Sequence, residues 1–210
     1  MLSPIDTVFA LLSLAQGAEA EAAERHLEVD HINYAAVEAA WEAVDEAGIE
    51  RSKVETLAIC DFTKPSYLHR LIIHHRDECR PKRYLCAHGT NTGDLFATSF
   101  SNRSGSLQTS LGLYRVGKHY GGQWGRSIEL HGLEPGRNDR AYARKIVLHS
   151  AWYVSEEIIG LNIAEGLGPR IGRSQGCPAV PEEQLTEVCQ QLPAGAYLYV
   201  FGVDPEAETQ

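Results

Sequence analysis

From residue 56 onward, the apolar residues of this chain recur with the two-residue period of β-strands, in short runs. Residues that favour tight turns, mainly Gly, Ser and Asn, separate these runs. The runs are Thr56–Asp61, Arg70–His74, Arg83–His88, Leu111–Val116, Ser127–Leu130, Lys145–His149 and Ala196–Phe201. Many short strands separated by turns are typical of sheet sandwiches. The sequence therefore predicts a mainly-β, β-sandwich-like fold.

Two parts of the chain have a helical period instead. In the first quarter, apolar residues recur every three or four positions and share one helix face, with Gly48 suited to end the helix. These residues are Tyr34, Val37, Trp41 and Val44. The second predicted helix runs from Pro181 to Leu192, and a shorter turn is predicted near Asn138–Arg144. Pro181 suits the first turn of a helix.

These patterns predict a helical segment over residues 1–50, one domain over 51–203 and a polar tail over 204–210. The interval from Gly89 to Gly112 is long and rich in Gly, Ser, Thr and Asn. A loop of this length inside a compact domain is usually functional or mobile.

The first residues of the chain have two interpretations. The longest apolar run, Val8–Ala15, is too short to span a bilayer, so no integral membrane segment is predicted. It could be the core of a signal peptide, because Ala18-Glu19-Ala20 has the small-x-small pattern of a cleavage site. However, no Lys or Arg precedes Arg25, which favours an amphipathic helix over about Thr7–Leu27.

Charge and cysteine content exclude some functions and leave others open. The chain has 19 Lys and Arg against 28 Asp and Glu, a net charge of −9, and no basic cluster. Nucleic acid and anionic membrane surfaces are therefore not expected partners. The five cysteines are an odd number, so four could pair and leave Cys177 free. The other four, Cys60, Cys79, Cys86 and Cys189, could equally be unpaired thiols, and the sequence does not choose between these arrangements.

The residues that indicate chemistry are a histidine and a cysteine. His149 ends a predicted strand, and Cys177 follows 28 residues later in a Ser-Gln-Gly-Cys turn ahead of the second predicted helix. A nearby histidine and a helix N-terminus both lower the pKa of a thiol and so favour the nucleophilic thiolate. Gly176 lets the backbone bend, and the amides of Gly176 and Cys177 could form an oxyanion hole. The alternative is a cysteine that only packs in a turn.

Five segments, in order along residues 30–203, resemble the L,D-transpeptidase (YkuD-type) family, in its murein L,D-transpeptidase catalytic domain subgroup. They are Cys60–Ser66, Ala87–Gly93, Ser110–Gly112, Arg144–Ser155 and Gly172–Val180. The resemblance implies that Cys177 is the acylated nucleophile and His149 its general base. It also implies that Ser174 and Gly176 shape the turn around the thiol, within an L,D-transpeptidase catalytic fold that has a helix after the cysteine.

The same resemblance implies a substrate and a place of action. Members attack a stem peptide of peptidoglycan, form a thioester and pass the acyl group to the amine of a second stem. They need no metal and no cofactor. The implied location is the periplasm or another extracytoplasmic part of the cell envelope.

Some residues depart from the wider family pattern. Gln175 stands where a His is common, Ser150 replaces a Gly, and Pro178-Ala179 replaces an apolar residue and an Arg. Another cation should therefore hold the substrate carboxylate. We expect this to be Arg173, in the same turn as Cys177, and the alternative is that Arg173 only stabilises the turn. Arg144 precedes His149 by five residues and is expected to point away from the cleft, because strand side chains alternate.

Three more residues are candidates for the walls of the site. His88 follows a strand and is either a wall residue or a structural hydrogen-bonding group. Trp152 and Tyr153 either flank the cleft or pack in the core. The group His69, His74, His75 and Cys79 lacks the spacing of a known zinc site, so no metal is predicted.

Two further functions use the same residues. An L,D-carboxypeptidase or other stem-peptide hydrolase would replace the acceptor amine by water. A non-catalytic peptidoglycan-binding module would keep the fold alone, although the Cys177 and His149 pair argues against it. The sequence predicts neither the oligomeric state nor the choice between transfer and hydrolysis.

Overall fold

A computed structural model describes residues 32–122 and 125–203 of the chain. The predicted helix or signal segment over Thr7–Leu27 and the predicted tail over 204–210 lie outside the described residues.

Eight strands form one sheet in the order β3-β2-β1-β8-β4-β5-β6-β7. The strands are β1 Thr56–Asp61, β2 His69–His75, β3 Lys82–Leu85, β4 Gly112–Gly122, β5 Gly125–Gly132, β6 Val147–Ser150, β7 Ala179–Val180 and β8 Tyr197–Phe201. The pairs β1–β8 and β6–β7 are parallel, and the other neighbours are antiparallel. The predicted mainly-β fold is confirmed.

The ends of this sheet approach each other next to the Cys177 turn. Ala87, just beyond β3, pairs with Ala179 in β7, and its N–H donates to the Ala179 carbonyl over 2.7 Å. Gly89 makes a second bridge, to Ser174. The sheet therefore nearly closes into a barrel, and the point of closure holds the residues that were predicted to form the site.

Both faces of the central strands are covered, which is why β1 is buried along its whole length. Ala58 and Cys60 belong to the larger core, whereas Leu57 and Ile59 belong to a second core under a helix. The two sets alternate along the strand because side chains of a strand point to opposite faces in turn.

The helix over that second core is α1, Tyr34–Glu46. Asn33 caps its N-terminus by accepting a hydrogen bond from the N–H of Ala36. Its buried residues are Ala36, Ala40, Ala43 and Val44. The predicted helix and its end before Gly48 are confirmed.

Two shorter helices follow. Helix α2, Glu156–Ala164, was not predicted, although Ser155 caps it and Glu156 and Glu157 occupy its first turn. Helix α3, Leu185–Gln191, confirms the predicted helix after Cys177, with a 3₁₀ turn over Glu182–Gln184 before it. Among the described residues, none of the helices is both long enough and apolar enough to cross a membrane.

Two of the cysteines lie close together in the core. Cys60 and Cys86 are buried with their sulfur atoms 3.7 Å apart, as free thiols without a disulfide between them. Their mutual hydrogen bond, followed by burial, raises the pKa of Cys60 well above its usual range. Cys79 is exposed and Cys189 is buried, and both are free.

Candidate active site

The Cys177 turn is built around the hydroxyl of Ser174. This hydroxyl donates to the Cys177 carbonyl over 2.6 Å and accepts the N–H of Gly176 over 3.1 Å. The backbone N–H of Ser174 in turn donates to the His88 carbonyl over 2.9 Å. Ser174 therefore joins the turn to the opposite edge of the sheet.

These bonds correct one expectation about the oxyanion hole. The Gly176 amide is already used inside the turn, so it is not free to stabilise a developing oxyanion. The Cys177 amide makes no hydrogen bond within residues 32–122 and 125–203. Of the two predicted donors, only the amide of Cys177 is therefore open to a substrate.

Gly176 is required by both its conformation and its surroundings. Its φ is 120°, in a region that residues with side chains rarely adopt. A Cβ at this position would lie 2.9 Å from the Gln108 carbonyl oxygen and 3.3 Å from the Ile146 side chain. The chain before Cys177 is therefore packed closely against the loop that carries Gln108.

Cys177 is partly buried, and its thiol lies 3.8 Å from the Lys145 carbonyl oxygen, which it can donate to. Burial raises the pKa of the Cys177 thiol, against the lowering effects of the Val147 backbone and the Arg144 charge. We expected the pKa to be lowered by a helix N-terminus. That expectation fails because β7 and a 3₁₀ turn separate Cys177 from α3, so no helix begins at the thiol.

His149 is oriented by a backbone carbonyl. Its Nδ1 lies 2.7 Å from the Ser150 carbonyl oxygen. Because a carbonyl only accepts, Nδ1 carries the proton and Nε2 has a free lone pair. Burial lowers the pKa of His149, so the ring is neutral at pH 7 and able to take a proton.

The sheet brings His149 next to the cysteine turn. His149 pairs with Ala179, and its backbone N–H contacts the Pro178 carbonyl over 3.4 Å. In this resting geometry the hydrogen bond of the thiol goes to Lys145, and none joins it to the imidazole. Such bonds are often long in free enzymes and shorten when substrate binds.

Arg144 lies beside the thiol, contrary to the expectation that it points away. Its charge lowers the pKa of Cys177, and its Nη2 is 3.4 Å from the point where a Gly176 Cβ would stand. The alternation of a strand does not apply to Arg144, because β6 begins only at Val147. Lys145, which directly follows Arg144, has a φ of 57° and turns the chain.

Arg173 contacts a loop on the other side of the turn. Its Nη1 donates to the Gly93 carbonyl over 3.0 Å and lies 3.6 Å from the Asp94 carboxylate. Arg170 pairs with the same carboxylate. The side chain of Arg173 is 35% exposed, so part of the guanidinium remains accessible.

His88 is fully buried behind the turn. Its Nδ1 accepts a 2.7 Å hydrogen bond from Arg70, which is also buried and donates to the Cys86 carbonyl. Burial and the Arg70 charge lower the pKa of His88 to about 3. His88 is thus a neutral internal support of the site wall and does not contact solvent.

The two aromatic candidates differ in position. Trp152 is 68% exposed, whereas Tyr153 is half-buried and packs against Gly172. Their rings meet edge to face with centroids 5.8 Å apart. Burial, followed by the neighbouring Cys177, raises the pKa of Tyr153 to about 12. Tyr153 is therefore close enough to Cys177 for a charge on the thiol to affect it.

A groove of about 560 Å³ is lined in part by Lys145, but neither Cys177 nor His149 lines it. Its lining residues are Lys118, Tyr120, Glu129, Leu130, Tyr142, Ala143, Lys145, Ile146 and Val147. No three His, Cys, Asp or Glu side chains converge on a possible metal position in the described part of the chain.

Comparison with known proteins identifies the family. No curated protein sequence is significantly similar to the chain. Among solved structures, an L,D-transpeptidase from Mycobacterium smegmatis is 10% identical with a TM-score of 0.41, over 70% of this chain and 59% of that one. An L,D-transpeptidase from Stackebrandtia nassauensis is 16% identical with a TM-score of 0.43, over 74% of this chain and 60% of that one. The chain thus spans about three fifths of the length of these two structures.

The L,D-transpeptidase catalytic domain model matches residues 28–201, most of the chain and all of the site. The chain therefore belongs to the L,D-transpeptidase catalytic domain family.

Proposed function

We propose that the chain is a cysteine-dependent L,D-transpeptidase that acts on peptidoglycan stem peptides, outside the cytoplasm. The observation that carries this proposal is the hydrogen bond from His149 Nδ1 to the Ser150 carbonyl. It leaves Nε2 as a base on the strand that pairs with the chain just after Cys177. Membership of the family supports the choice of substrate.

The reaction follows from these groups. His149 Nε2 takes the thiol proton, and the Cys177 sulfur attacks the carbonyl carbon of the donor stem. The bond to the terminal D-amino acid breaks, and the imidazolium returns the proton to the leaving amine. The resulting thioester is attacked by the amine of a second stem, which forms the new amide and releases the thiol. The free Cys177 amide is the donor available to the oxyanion.

The raised pKa of Cys177 and the lowered pKa of His149 favour a neutral resting pair over a preformed ion pair. The proton therefore moves during attack, and the imidazole works as a general base.

Purified muropeptides provide the test. We expect cross-linked products and, with donor alone, a covalent mass adduct on the Cys177 peptide. Cys177→Ala should abolish both, whereas Cys79→Ala, at an exposed thiol, should change neither. Products shortened by one residue without cross-links would indicate a hydrolase. Retained binding with no conversion by the wild type would indicate a binding module and overturn the proposal.

A further inference from the structure

Arg144 holds the loop of residues 101–110, called here the 101–110 loop, with four hydrogen bonds. Its Nη1 donates to the Ser101 carbonyl over 2.7 Å and to the Ser110 hydroxyl over 3.1 Å. Its Nη2 donates to the Gln108 carbonyl over 2.5 Å and to the Ser106 hydroxyl over 3.3 Å. One planar guanidinium thus joins both ends and the middle of the loop, which a lysine cannot do.

The loop that Arg144 holds forms a wall of the active site. The Gln108 carbonyl, which accepts from Arg144, is the backbone atom nearest to a Cβ placed on Gly176. Gly176 directly precedes Cys177, so a shift of Gln108 changes the space around the thiol. Leu107, next to Gln108, has a φ of 57°, an unfavourable conformation that the surrounding contacts must maintain.

The loop is anchored on two sides. From the 91–92 segment, the Asn91 side chain donates to the Ser106 carbonyl over 2.9 Å. The Thr109 N–H donates to the Thr92 hydroxyl over 2.8 Å. Arg144 supplies the second anchor. Four of the five N–H groups of Arg144 already donate hydrogen bonds, so this side chain is poorly placed to bind a substrate carboxylate as well.

We propose that Arg144 is the positioning residue of this active site: it fixes the 101–110 loop against Gly176 and keeps a positive charge beside Cys177. This inference rests on the proposed role of Cys177 as the nucleophile. The two effects are separable. The position of the 101–110 loop depends on the forked guanidinium of Arg144. The positive charge beside Cys177 could be supplied by any cationic side chain at this position.

Two variants separate the effects. Arg144→Lys keeps the charge but loses most hydrogen bonds, and Arg144→Ala loses both. Arg76→Ala is the matched control, because Arg76 also donates to two backbone carbonyls, of Arg51 and Val54, but follows the end of β2. Each variant is compared with wild type by amide hydrogen exchange of the 101–110 loop and by the pH dependence of Cys177 alkylation.

We expect faster exchange in the 101–110 loop for both Arg144 variants and unchanged exchange there for Arg76→Ala. Arg144→Ala alone should move the alkylation midpoint to higher pH. With muropeptides, Arg144→Lys should lower kcat/KM by about 100-fold, since small misplacements near the reacting atoms have costs of this order.

The inference is wrong if amides of the 101–110 loop exchange at the wild-type rate in Arg144→Lys. It is also wrong if the midpoint of Cys177 alkylation is unchanged in Arg144→Ala. Should Arg144→Ala fail to fold, the exchange rate in Arg144→Lys decides alone. Failure of the proposed function has a different signature. Wild type would then convert no muropeptide while the exchange and alkylation results remain as expected.

Discussion

The carbonyl oxygen of Lys145 lies 3.8 Å from the Sγ of Cys177. Lys145 has a φ of 57°, a left-handed conformation that costs a residue with a side chain about 1–2 kcal/mol. A carbonyl oxygen can accept a hydrogen bond from the thiol but repels a thiolate. The strained residue therefore helps to keep the resting Cys177 in its neutral form.

At Lys145, a Gly variant should be more stable than an Ala variant, which is the reverse of the usual order of stability. Because glycine adopts a positive φ without strain, Lys145→Gly should have a free energy of unfolding about 1 kcal/mol above that of Lys145→Ala. Urea denaturation measures the difference. The same two substitutions at Lys118, an exposed residue of β4, should give the opposite order. An equal or greater stability of Lys145→Ala would mean that the conformation is not strained.

Alkylation of Cys177 should have its midpoint above the ~8.5 of a free cysteine, because burial raises the pKa of this thiol. Iodoacetamide labelling, resolved by peptide mass spectrometry, follows each cysteine separately, and the exposed Cys79 serves as an internal reference for the reagent. A midpoint below that of a free cysteine would show that the thiolate is stabilised at rest, as the sequence alone had suggested.

The sequence predicted most strands because their alternation is local. Thr56–Asp61 was predicted with its observed bounds, and the other six runs each overlap an observed strand. The two-residue strand Ala179–Val180 was not predicted, because its pairing with His149 and Ala87 is created by the closure of the sheet. A periodic pattern contains no information about such distant pairing.

The candidate site was predictable in part for the same reason. Cys177 and His149 could be found from a turn motif and a strand end, which are features of short segments. The role of Arg144 depends on a loop 34 to 43 residues away, and that of Arg70 on a buried contact with His88. No pattern along the chain indicated either contact.

His88 should make the protein less stable in acid. Its pKa is about 3 in the fold and about 6.5 when unfolded, so below pH 6.5 the unfolded chain binds a proton that the fold excludes. The free energy of unfolding should fall by up to about 1.4 kcal/mol per pH unit between those values. His88→Gln should flatten this dependence between pH 6 and 4, measured by urea denaturation.

The control for this experiment is His131→Gln, at a side chain that is 42% exposed and stacked on Tyr142. Its curve shows how much of the change is common to the loss of any histidine. Parallel curves for wild type and His88→Gln would show that His88 is protonated as easily in the fold as in the unfolded chain.

Arg173 remains the proposed contact for a donor carboxylate, and substitution of the neighbouring Asp94 provides a test of this role. The Asp94 carboxylate lies 3.6 Å from Arg173 and also pairs with Arg170, so a substrate carboxylate would compete with it. Asp94→Asn should therefore lower the KM for the donor stem, by up to about fivefold, because exposed ion pairs contribute about 0.2–1 kcal/mol. Arg173→Lys should raise that KM, since it keeps the charge but loses the fork.

Neither substitution should change the rate of Cys177 alkylation by a small reagent, which needs no carboxylate contact. This comparison separates recognition of the donor from support of the turn. In a purely supporting role, loss of the contacts to Gly93 and Asp94 would loosen the 90–94 segment. Asp94→Asn would then raise KM or leave it unchanged, and Arg173→Lys would alter alkylation together with turnover. That pattern would assign Arg173 to the scaffold and leave the donor carboxylate to another group.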